Sequence, residues 1–316
     1  MIKKLYSDLI FKINPPKVGV VATLTRSGTW YCRCFFFALH KLLKGDKDFD
    51  STSVVREFYA ADRKFAVKDT LGLDRLFIAH ATCPGFKDHY RGDLLGAWGN
   101  LRFYGGGLAH DNGDIVMQNP RRKKVFDPYF NRNAKIIYIY RNPLDQAVSS
   151  FVGHQNHKRE ILRYKINESG ERELITDVKD YFYSEGLDAF IKQFFTFKAM
   201  QALFPKNILI LTYEQLIREP EKAFTAALRH FGCKVGGEAG RVKVRKAIEL
   251  ASQQNLREAE KNLGFSLAND RAIPGDTQMR GGAVGKWKEY FDKNDLARAE
   301  EKMATFNLTL KDCVLE

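Results

Sequence analysis

A short polar loop at residues 24–29, with the sequence LTRSGT, carries the first residues suited to chemistry. It follows an apolar run at 18–23, which predicts a buried strand, and it precedes a helical stretch from residue 30 to about 43. Backbone N–H groups and the positive end of a helix dipole bind anions at such a junction. The layout therefore favours a phosphate-binding strand–loop–helix, although an ordinary turn between a strand and a helix has the same pattern.

The residue types in this loop suit an anion. Ser27 and Thr29 supply hydroxyl donors, and Gly28 lets the backbone approach a ligand closely. Arg26 adds a positive charge. The consensus G-x-x-x-x-G-K-[ST] is absent because no Lys follows Gly28, and this disfavours an ATP or GTP enzyme.

A second motif lies where a predicted strand at 135–140 runs into a helix, in the sequence KIIYIYRNPLDQAVSS. Arg141 stands at the end of this strand, and open α/β sheets bind ligands beyond the carboxyl ends of their strands. Ser149 follows two turns into the helix. An arginine and a serine together suit a terminal phosphate, through charge-assisted and hydroxyl hydrogen bonds.

Together the two motifs resemble those of the soluble, small-molecule type of PAPS-dependent sulfotransferase, where PAPS is 3′-phosphoadenosine-5′-phosphosulfate. That family has a loop of the type P-[KR]-S-G-T-T-W and a later motif of the type Y-V-x-R-N-P-x-D-x-x-V-S. Two further segments are similar to family motifs, 211–220 to Y-E-D-L-x-x-x-P and 279–288 to R-K-G-x-x-G-D-W-K. The matching positions of the first two motifs are Arg26, Ser27, Gly28, Thr29, Arg141, Asn142, Pro143, Asp145, Val148 and Ser149.

The resemblance implies sulfuryl transfer from PAPS to a hydroxyl or amine of a small acceptor, with release of adenosine 3′,5′-bisphosphate and no metal. Arg26, which would also stabilise charge on the leaving oxygen, would hold the 5′-phosphosulfate with Ser27, Gly28 and Thr29. The 3′-phosphate and adenosine would meet Arg141, Ser149, Tyr213, and a closing loop with Arg280, Gly281 and Gly282. Gly281 and Lys286 replace the usual Lys and Asp of that loop. The aromatic residue expected to stack on adenine aligns with Tyr31, and Trp30 lies one residue earlier, so either could serve.

The catalytic base has three candidates. The family commonly places a His after a central strand, as K-T-H, and His80 has this strand context without the Lys and Thr. His110 and Glu57 are the alternatives. A base in this position would take a proton from the acceptor as it attacks sulfur.

The elements that must position these residues alternate along the chain. Further strands are predicted at 76–79 and 207–212, and helices at 186–203, 220–231, 241–267 and 293–306. This alternation predicts a three-layer α/β/α fold with a central parallel sheet. We expect a single domain over 1–316, with an insertion or active-site loop at 83–131 and a loop at 268–286.

Composition narrows the classes of partner. With 44% hydrophobic residues, the 316-residue chain can bury a large core. The excess of 51 Lys and Arg over 38 Asp and Glu, a net charge of +13, favours an anionic partner. A nucleotide or sugar kinase, or a basic nucleic-acid-binding protein suggested by RRKK at 121–124, are the alternatives.

Cysteine content and hydropathy indicate where the protein is located. Five cysteines without a C-x-x-C pair favour reduced thiols, and no run approaches the ~18 apolar residues that span a bilayer. We therefore expect a cytoplasmic protein with no membrane or nucleic-acid partner. The sequence leaves open whether it forms a homo-oligomer.

Overall fold

The structure, a computed structural model, describes most of the chain. The described residues are 15–24, 26–46, 48–60, 71–82, 102–104, 128, 131–156, 164–166, 169–264 and 283–313. Most of the predicted loop regions 83–131 and 268–286 lies outside these ranges.

The described residues form seven strands, four of which were predicted from the sequence. They are β1 (Val18–Thr23), β2 (Arg75–Thr82), β3 (Arg102–Tyr104), β4 (Ala134–Tyr140), β5 (Tyr164–Ile166), β6 (Arg172–Leu174) and β7 (Ile208–Thr212). The strand predicted at 18–23 is confirmed, and those at 76–79, 135–140 and 207–212 are confirmed to within three residues at either end.

One sheet has the order β3-β2-β1-β4-β7 among the described residues. β1 pairs in parallel with β2 and β4, and β4 pairs in parallel with β7, which confirms the central parallel sheet. β3 falls within the region predicted as a loop, and it adds an antiparallel edge strand beside β2 that the sequence did not predict. β5 and β6 form a separate antiparallel pair, which the sequence did not predict either.

Helices cover the sheet. They are α1 (Thr29–Lys44), α2 (Ser51–Ala60), α3 (Pro143–Asn156), α4 (Val178–Tyr181), α5 (Leu187–Leu203), α6 (Tyr213–Arg218), α7 (Pro220–His230), α8 (Gly237–Leu250), α9 (Gln253–Leu263) and α10 (Lys293–Ala304). A π-helical turn, Phe182–Gly186, joins α4 to α5, and 3-10 turns occupy Lys286–Glu289 and Leu310–Asp312.

The prediction of one helix at 241–267 was wrong. Helix α8 ends at Leu250, and Ser252 begins α9 by accepting a hydrogen bond from the backbone N–H of Asn255 at 3.3 Å. A serine side chain stabilises a helix start better than a helix interior, so it favours a break at this point.

Alternating side chains of the central strands pack into two buried cores, one on each face of the sheet. In β4, Ile137 and Ile139 contact the core formed with α1, α2, α7, α8 and α9. Ile136, Tyr138 and Tyr140 contact the opposite core, formed with α3, α4, α5 and α10. Burial on both faces explains why these strands read as continuous apolar runs, and it confirms the three-layer α/β/α fold.

The sheet order brings the ends of distant segments together. β1, β2, β4 and β7 are parallel, so their carboxyl ends lie at one edge of the sheet. In register, Thr23 of β1 lies between His80 of β2 and Ile139 of β4, while Tyr140 lies beside Thr212. The strands on the two sides of β1 come from different parts of the chain, which is the kind of position where open α/β sheets bind ligands.

Candidate active site

The loop after β1 is held against the sheet by backbone hydrogen bonds. The N–H of Leu24 donates to the carbonyl of Ile139 at 3.2 Å, and the N–H of Ser27 donates to the carbonyl of Leu24 at 3.0 Å. Within this turn Arg26 has a φ of 68°, a left-handed conformation that costs a non-glycine residue about 1–2 kcal/mol. Strain of this kind persists where the surroundings enforce it, and it is frequent at functional sites.

Gly28 is required by its conformation and by its neighbour. Its φ is 88°, and a Cβ at this position would lie 2.9 Å from Cδ2 of Tyr213. Any side chain here would therefore collide with an aromatic ring that the protein has little freedom to move. The loop consequently packs directly on Tyr213, the first residue of α6.

Tyr213 links the loop to the arginine at the end of β4. The Arg141 guanidinium carbon lies 4.7 Å from the centroid of the Tyr213 ring, a cation–π distance. The Tyr213 hydroxyl accepts a hydrogen bond from Nε2 of Gln253 at 2.7 Å, and burial raises the pKa of Tyr213. The ring thus contacts both Gly28 of the loop and a buried cation.

Arg141 also contacts the C-terminal segment, which we define as residues 283–287. Its Nη2 donates to the carbonyl of Ala283 at 2.8 Å, and only 5% of the residue is exposed. Its Nε is buried and has no hydrogen-bond partner in the described part of the chain.

Asp145 fixes the same segment to the start of α3. Its Oδ2 accepts the N–H of Gly285 at 2.7 Å, and its Oδ1 accepts the N–H of Trp287 at 2.9 Å. The carboxylate is almost fully buried, so both hydrogen bonds are shielded from water. Ser149 is four residues later on α3, on the same helix face, and is partly buried.

His80 lies beside the loop, at the end of β2. β2 and β4, which leads to Arg141, pair with opposite sides of β1. Its Nδ1 is 3.2 Å from the hydroxyl of Thr29 and 3.3 Å from the hydroxyl of Thr23. Burial lowers the pKa of His80 to about 3, and the positive charges of Arg33 and Arg26 add to the effect. The imidazole is therefore neutral at physiological pH.

Arg33 supports this arrangement from α1. It donates from Nε and Nη2 to the carbonyl of Ile78 at 3.3 and 3.2 Å, and its guanidinium carbon lies 4.8 Å from the centroid of the Trp30 ring. Arg33 is buried, and its positive charge acts on His80.

Two buried donors mark the two ends of the site. The Oγ of Ser27 is buried and, like the Nε of Arg141, has no hydrogen-bond partner among the residues that the structure describes. Buried polar atoms normally have a partner, and those without one need an explanation. One donor lies in the loop after β1 and the other follows β4, so the pair is suited to two separate anionic groups.

Comparison with known proteins places the chain in a family. The Sulfotransferase domain family matches residues 117–309, more than half of the chain. The chain belongs to the sulfotransferase domain family. Its Arg141, Asp145, Tyr213 and C-terminal segment lie within the matched region, whereas the loop at 24–29 and His80 precede it.

Individual relatives of this sulfotransferase-family chain are distant. It is 25% identical over 187 residues to 3-alpha-hydroxysteroid sulfotransferase of Cavia porcellus, covering 56% of this chain and 59% of that protein. It is 26% identical over 175 residues to 3-beta-hydroxysteroid sulfotransferase of the same organism, covering 55% of each. The matches thus span little more than half the length of these curated relatives. A crystal structure of retinol dehydratase in a complex with retinol and PAP is similar with a TM-score of 0.49 and 17% identity, over 99% of this chain and 87% of that one.

The two aromatic candidates for stacking differ in accessibility. Tyr31 is 7% exposed, and its ring packs edge-on against Phe224 in the core, with ring centroids 5.1 Å apart. Trp30 is partly buried, beside the guanidinium of Arg33. The helical phase of α1 therefore directs Tyr31 into the protein.

Glu57 lies far from the loop. Its carboxylate forms an ion pair with Lys41, more than three turns after Thr29 and about 18 Å along the α1 axis. Among the candidate bases, the structure brings His80 to the loop and leaves Glu57 away from it. His110 and the closing residues Arg280, Gly281 and Gly282 lie outside the described residues.

Three residues of the site had no role in the sequence prediction. Thr23 was read only as the end of a strand, although a polar residue at that point precedes the anion loop. Arg33 follows Thr29 by four residues, a spacing that places both on one helix face. Asp145 was matched to the family motif, but its bonds to a segment 140 and 142 residues later give no local signal.

The described residues contain no helix that is long and apolar enough to cross a membrane. Within the same ranges, no three His, Cys, Asp or Glu side chains gather in a way that could hold a metal ion.

Proposed function

We propose that this chain transfers the sulfuryl group of PAPS to a hydroxyl or amine of a small acceptor. The observation that carries the proposal is a pair of buried donors, Ser27 Oγ and Arg141 Nε, that have no hydrogen-bond partner among the described residues. They occur at the two predicted phosphate positions, and the ring of Tyr213 lies close to both the loop and the arginine. A ligand with anionic groups at both the 5′ and the 3′ position of adenosine would satisfy both donors.

Each side of the ligand has its own set of residues in this proposal. Arg26, Ser27, Gly28 and Thr29 hold the 5′-phosphosulfate, and the strained φ of Arg26 supports a functional role for that loop. Trp30 is the aromatic residue for the adenine, since Tyr31 belongs to the core.

The 3′-phosphate meets Arg141 and Ser149, and Tyr213 lies near the adenosine. The contact of Arg141 with Ala283 supports closure by the preceding residues Arg280, Gly281 and Gly282. Asp145 supports the same closure, because it binds the backbone just beyond Ala283.

The chemical step is displacement at sulfur. PAPS supplies the sulfuryl group, whose bond to the 5′-phosphate oxygen breaks as the acceptor oxygen or nitrogen bonds to sulfur, releasing adenosine 3′,5′-bisphosphate. His80 accepts the proton of the acceptor. Its imidazole is neutral before the reaction because burial lowers its pKa. Arg26 and the loop N–H groups stabilise the charge that develops on the leaving oxygen, and they are fixed before the reaction begins.

The names of the relatives suggest which acceptors to screen first. Two relatives are named as hydroxysteroid sulfotransferases, so a first panel contains 3-hydroxysteroids together with phenols, aliphatic alcohols and amines. Incubation with radiolabelled PAPS and each acceptor measures transfer directly.

The nucleotide assignment is tested by calorimetry with the Arg141→Ala variant. Loss of one charge-assisted hydrogen bond should weaken the binding of adenosine 3′,5′-bisphosphate by about 1.5–3 kcal/mol, which raises its Kd roughly 10- to 150-fold. AMP lacks the 3′-phosphate, so its affinity should change little. Wild-type protein should bind the bisphosphate far more tightly than ATP or AMP.

The matched control is Arg245→Ala, which removes an exposed arginine from α8 and causes the same change in net charge. Its bisphosphate affinity should equal that of the wild type. Equal losses for AMP and for the bisphosphate in Arg141→Ala would contradict the placement of the 3′-phosphate. Equal wild-type affinities for ATP and the bisphosphate would contradict the use of PAPS.

A further inference from the structure

A chain of close polar contacts runs from His80 into the sheet. His80 Nδ1 lies 3.2 Å from Thr29 Oγ1, which lies 2.6 Å from Thr23 Oγ1. Thr23 Oγ1 lies 3.3 Å from the carbonyl oxygen of Ala79 and 3.3 Å from His80 Nδ1. Both threonines are buried, so these contacts are shielded from water.

The number of available protons decides which atom donates in each hydrogen bond of this chain. Each threonine hydroxyl can donate one hydrogen bond, and the carbonyl of Ala79 can only accept. Two oxygens as close as 2.6 Å need a proton between them. The chain has three links: Nδ1 to Thr29, Thr29 to Thr23, and Thr23 to the carbonyl of Ala79. If Nδ1 of His80 carried no proton, only the two hydroxyl protons would be available for these three links. One link would then have no proton.

A proton on Nδ1 removes this deficit. The Nδ1–H then donates to Thr29, Thr29 donates to Thr23, and Thr23 donates to the carbonyl of Ala79. Each link of this chain then carries one proton, the longer contact between Nδ1 and Thr23 Oγ1 at 3.3 Å carries none, and the lone pair of the imidazole is on Nε2.

We propose that Thr23 is a positioning residue that, acting through Thr29, fixes the tautomer of His80 with the proton on Nδ1 and the lone pair on Nε2. The proposal rests on the proposed function, in which Nε2 accepts the proton of the sulfuryl acceptor. When that proton arrives, the imidazole becomes an imidazolium and its Nδ1–H still donates to Thr29. No hydroxyl has to turn during the reaction, which keeps the reorganisation small.

Hydroxyls suit this task better than a carboxylate at this place. In other enzymes a buried carboxylate orients a catalytic histidine and stabilises its charged form. Here the orienting group adjoins the loop with Arg26, which is proposed to bind an anion. A carboxylate would repel that anion, whereas two neutral hydroxyls orient the ring without adding negative charge.

The tautomer can be measured in the ligand-free protein by ¹H–¹⁵N NMR of the imidazole nitrogens. The chain has seven histidines, and the signal missing from a His80→Gln variant identifies His80. Wild-type protein should show the Nδ1–H tautomer. In Thr23→Val, Thr29 loses its acceptor and should donate to Nδ1 instead, so the Nε2–H tautomer should become the main form. Thr23→Ser keeps a hydroxyl and should retain the wild-type tautomer.

The turnover number, kcat, of the Thr23 variants is a second measurement. Thr23→Val should lower kcat by at least tenfold, with the Kd of adenosine 3′,5′-bisphosphate within threefold of wild type, and Thr23→Ser should restore kcat. An Nε2–H tautomer in the wild type, or an unchanged tautomer in folded Thr23→Val, would overturn the proposal. Because the wild-type spectrum alone can refute it, an unstable variant does not prevent the test.

The two proposals fail in different ways. Absence of sulfuryl transfer by wild-type protein would refute the proposed function, whereas the NMR spectra would still report the tautomer. Normal transfer with the wrong tautomer would refute only the role of Thr23.

Discussion

Replacement of Asp145 by Asn should release the C-terminal segment from the site. The carboxylate accepts the N–H groups of Gly285 and Trp287 at 2.7 and 2.9 Å, and 1% of the residue is exposed. Asparagine has nearly the same shape, but it keeps one acceptor oxygen and turns an NH₂ group towards the other N–H. One charge-assisted hydrogen bond is lost, one becomes neutral, and one buried donor has no acceptor.

These losses define the expected size of the effect. A hydrogen bond to a charged group contributes about 1.5–3 kcal/mol, so we expect docking of the segment to weaken by about 2–4 kcal/mol. The equilibrium for local opening would then shift by roughly 30- to 1,000-fold. Amide hydrogen exchange of Gly285 and Trp287 should accelerate by this factor, whereas amides of the central strand β4 should change little.

The matched control is Asp292→Asn. Asp292 also accepts two backbone N–H groups, from Asn294 and Asp295 at 2.8 and 3.1 Å, but it caps α10 in an exposed position. Asparagine caps a helix about as well as aspartate, so exchange in the C-terminal segment should stay at the wild-type rate. Unchanged exchange of Gly285 and Trp287 in folded Asp145→Asn protein would refute the role assigned to the carboxylate.

Two further predictions concern the loop and its histidine. Gly28→Ala should lower the free energy of unfolding in urea more than Gly45→Ala, because both positions have positive φ but only Gly28 would place a Cβ against Tyr213; equal losses would mean that the ring moves aside. The pKa of His80 is lowered in the folded protein to about 3, so the unfolded chain binds the extra proton between that pH and about 6.5, and stability should fall as pH decreases through this window. The fall should be smaller in His80→Gln, and identical pH profiles for the two proteins would contradict the neutral state of this imidazole in the folded protein.

Much of the fold could be predicted because its signals are local. The strand at 18–23 and the helices after it follow from apolar runs and spacing, since burial on both faces of a parallel sheet imposes such runs. The relation of Asp145 to Ser149 is local as well, because residues four apart share a helix face. The break at Ser252 was missed because a continuous helical pattern outweighed the cap preference of a single serine.

The arrangement of the site required the tertiary structure. Which strands flank β1 depends on burial across the whole chain, and this order brings His80 to Thr29 and Tyr213 to Gly28. Likewise, the choice between Trp30 and Tyr31 depends on which face of α1 meets Phe224. The sequence by itself determined which residue types stand at the strand ends, because those positions follow from local pattern. Only the packed sheet determined which of them meet, because contacts between residues so far apart in the chain depend on strand order and register.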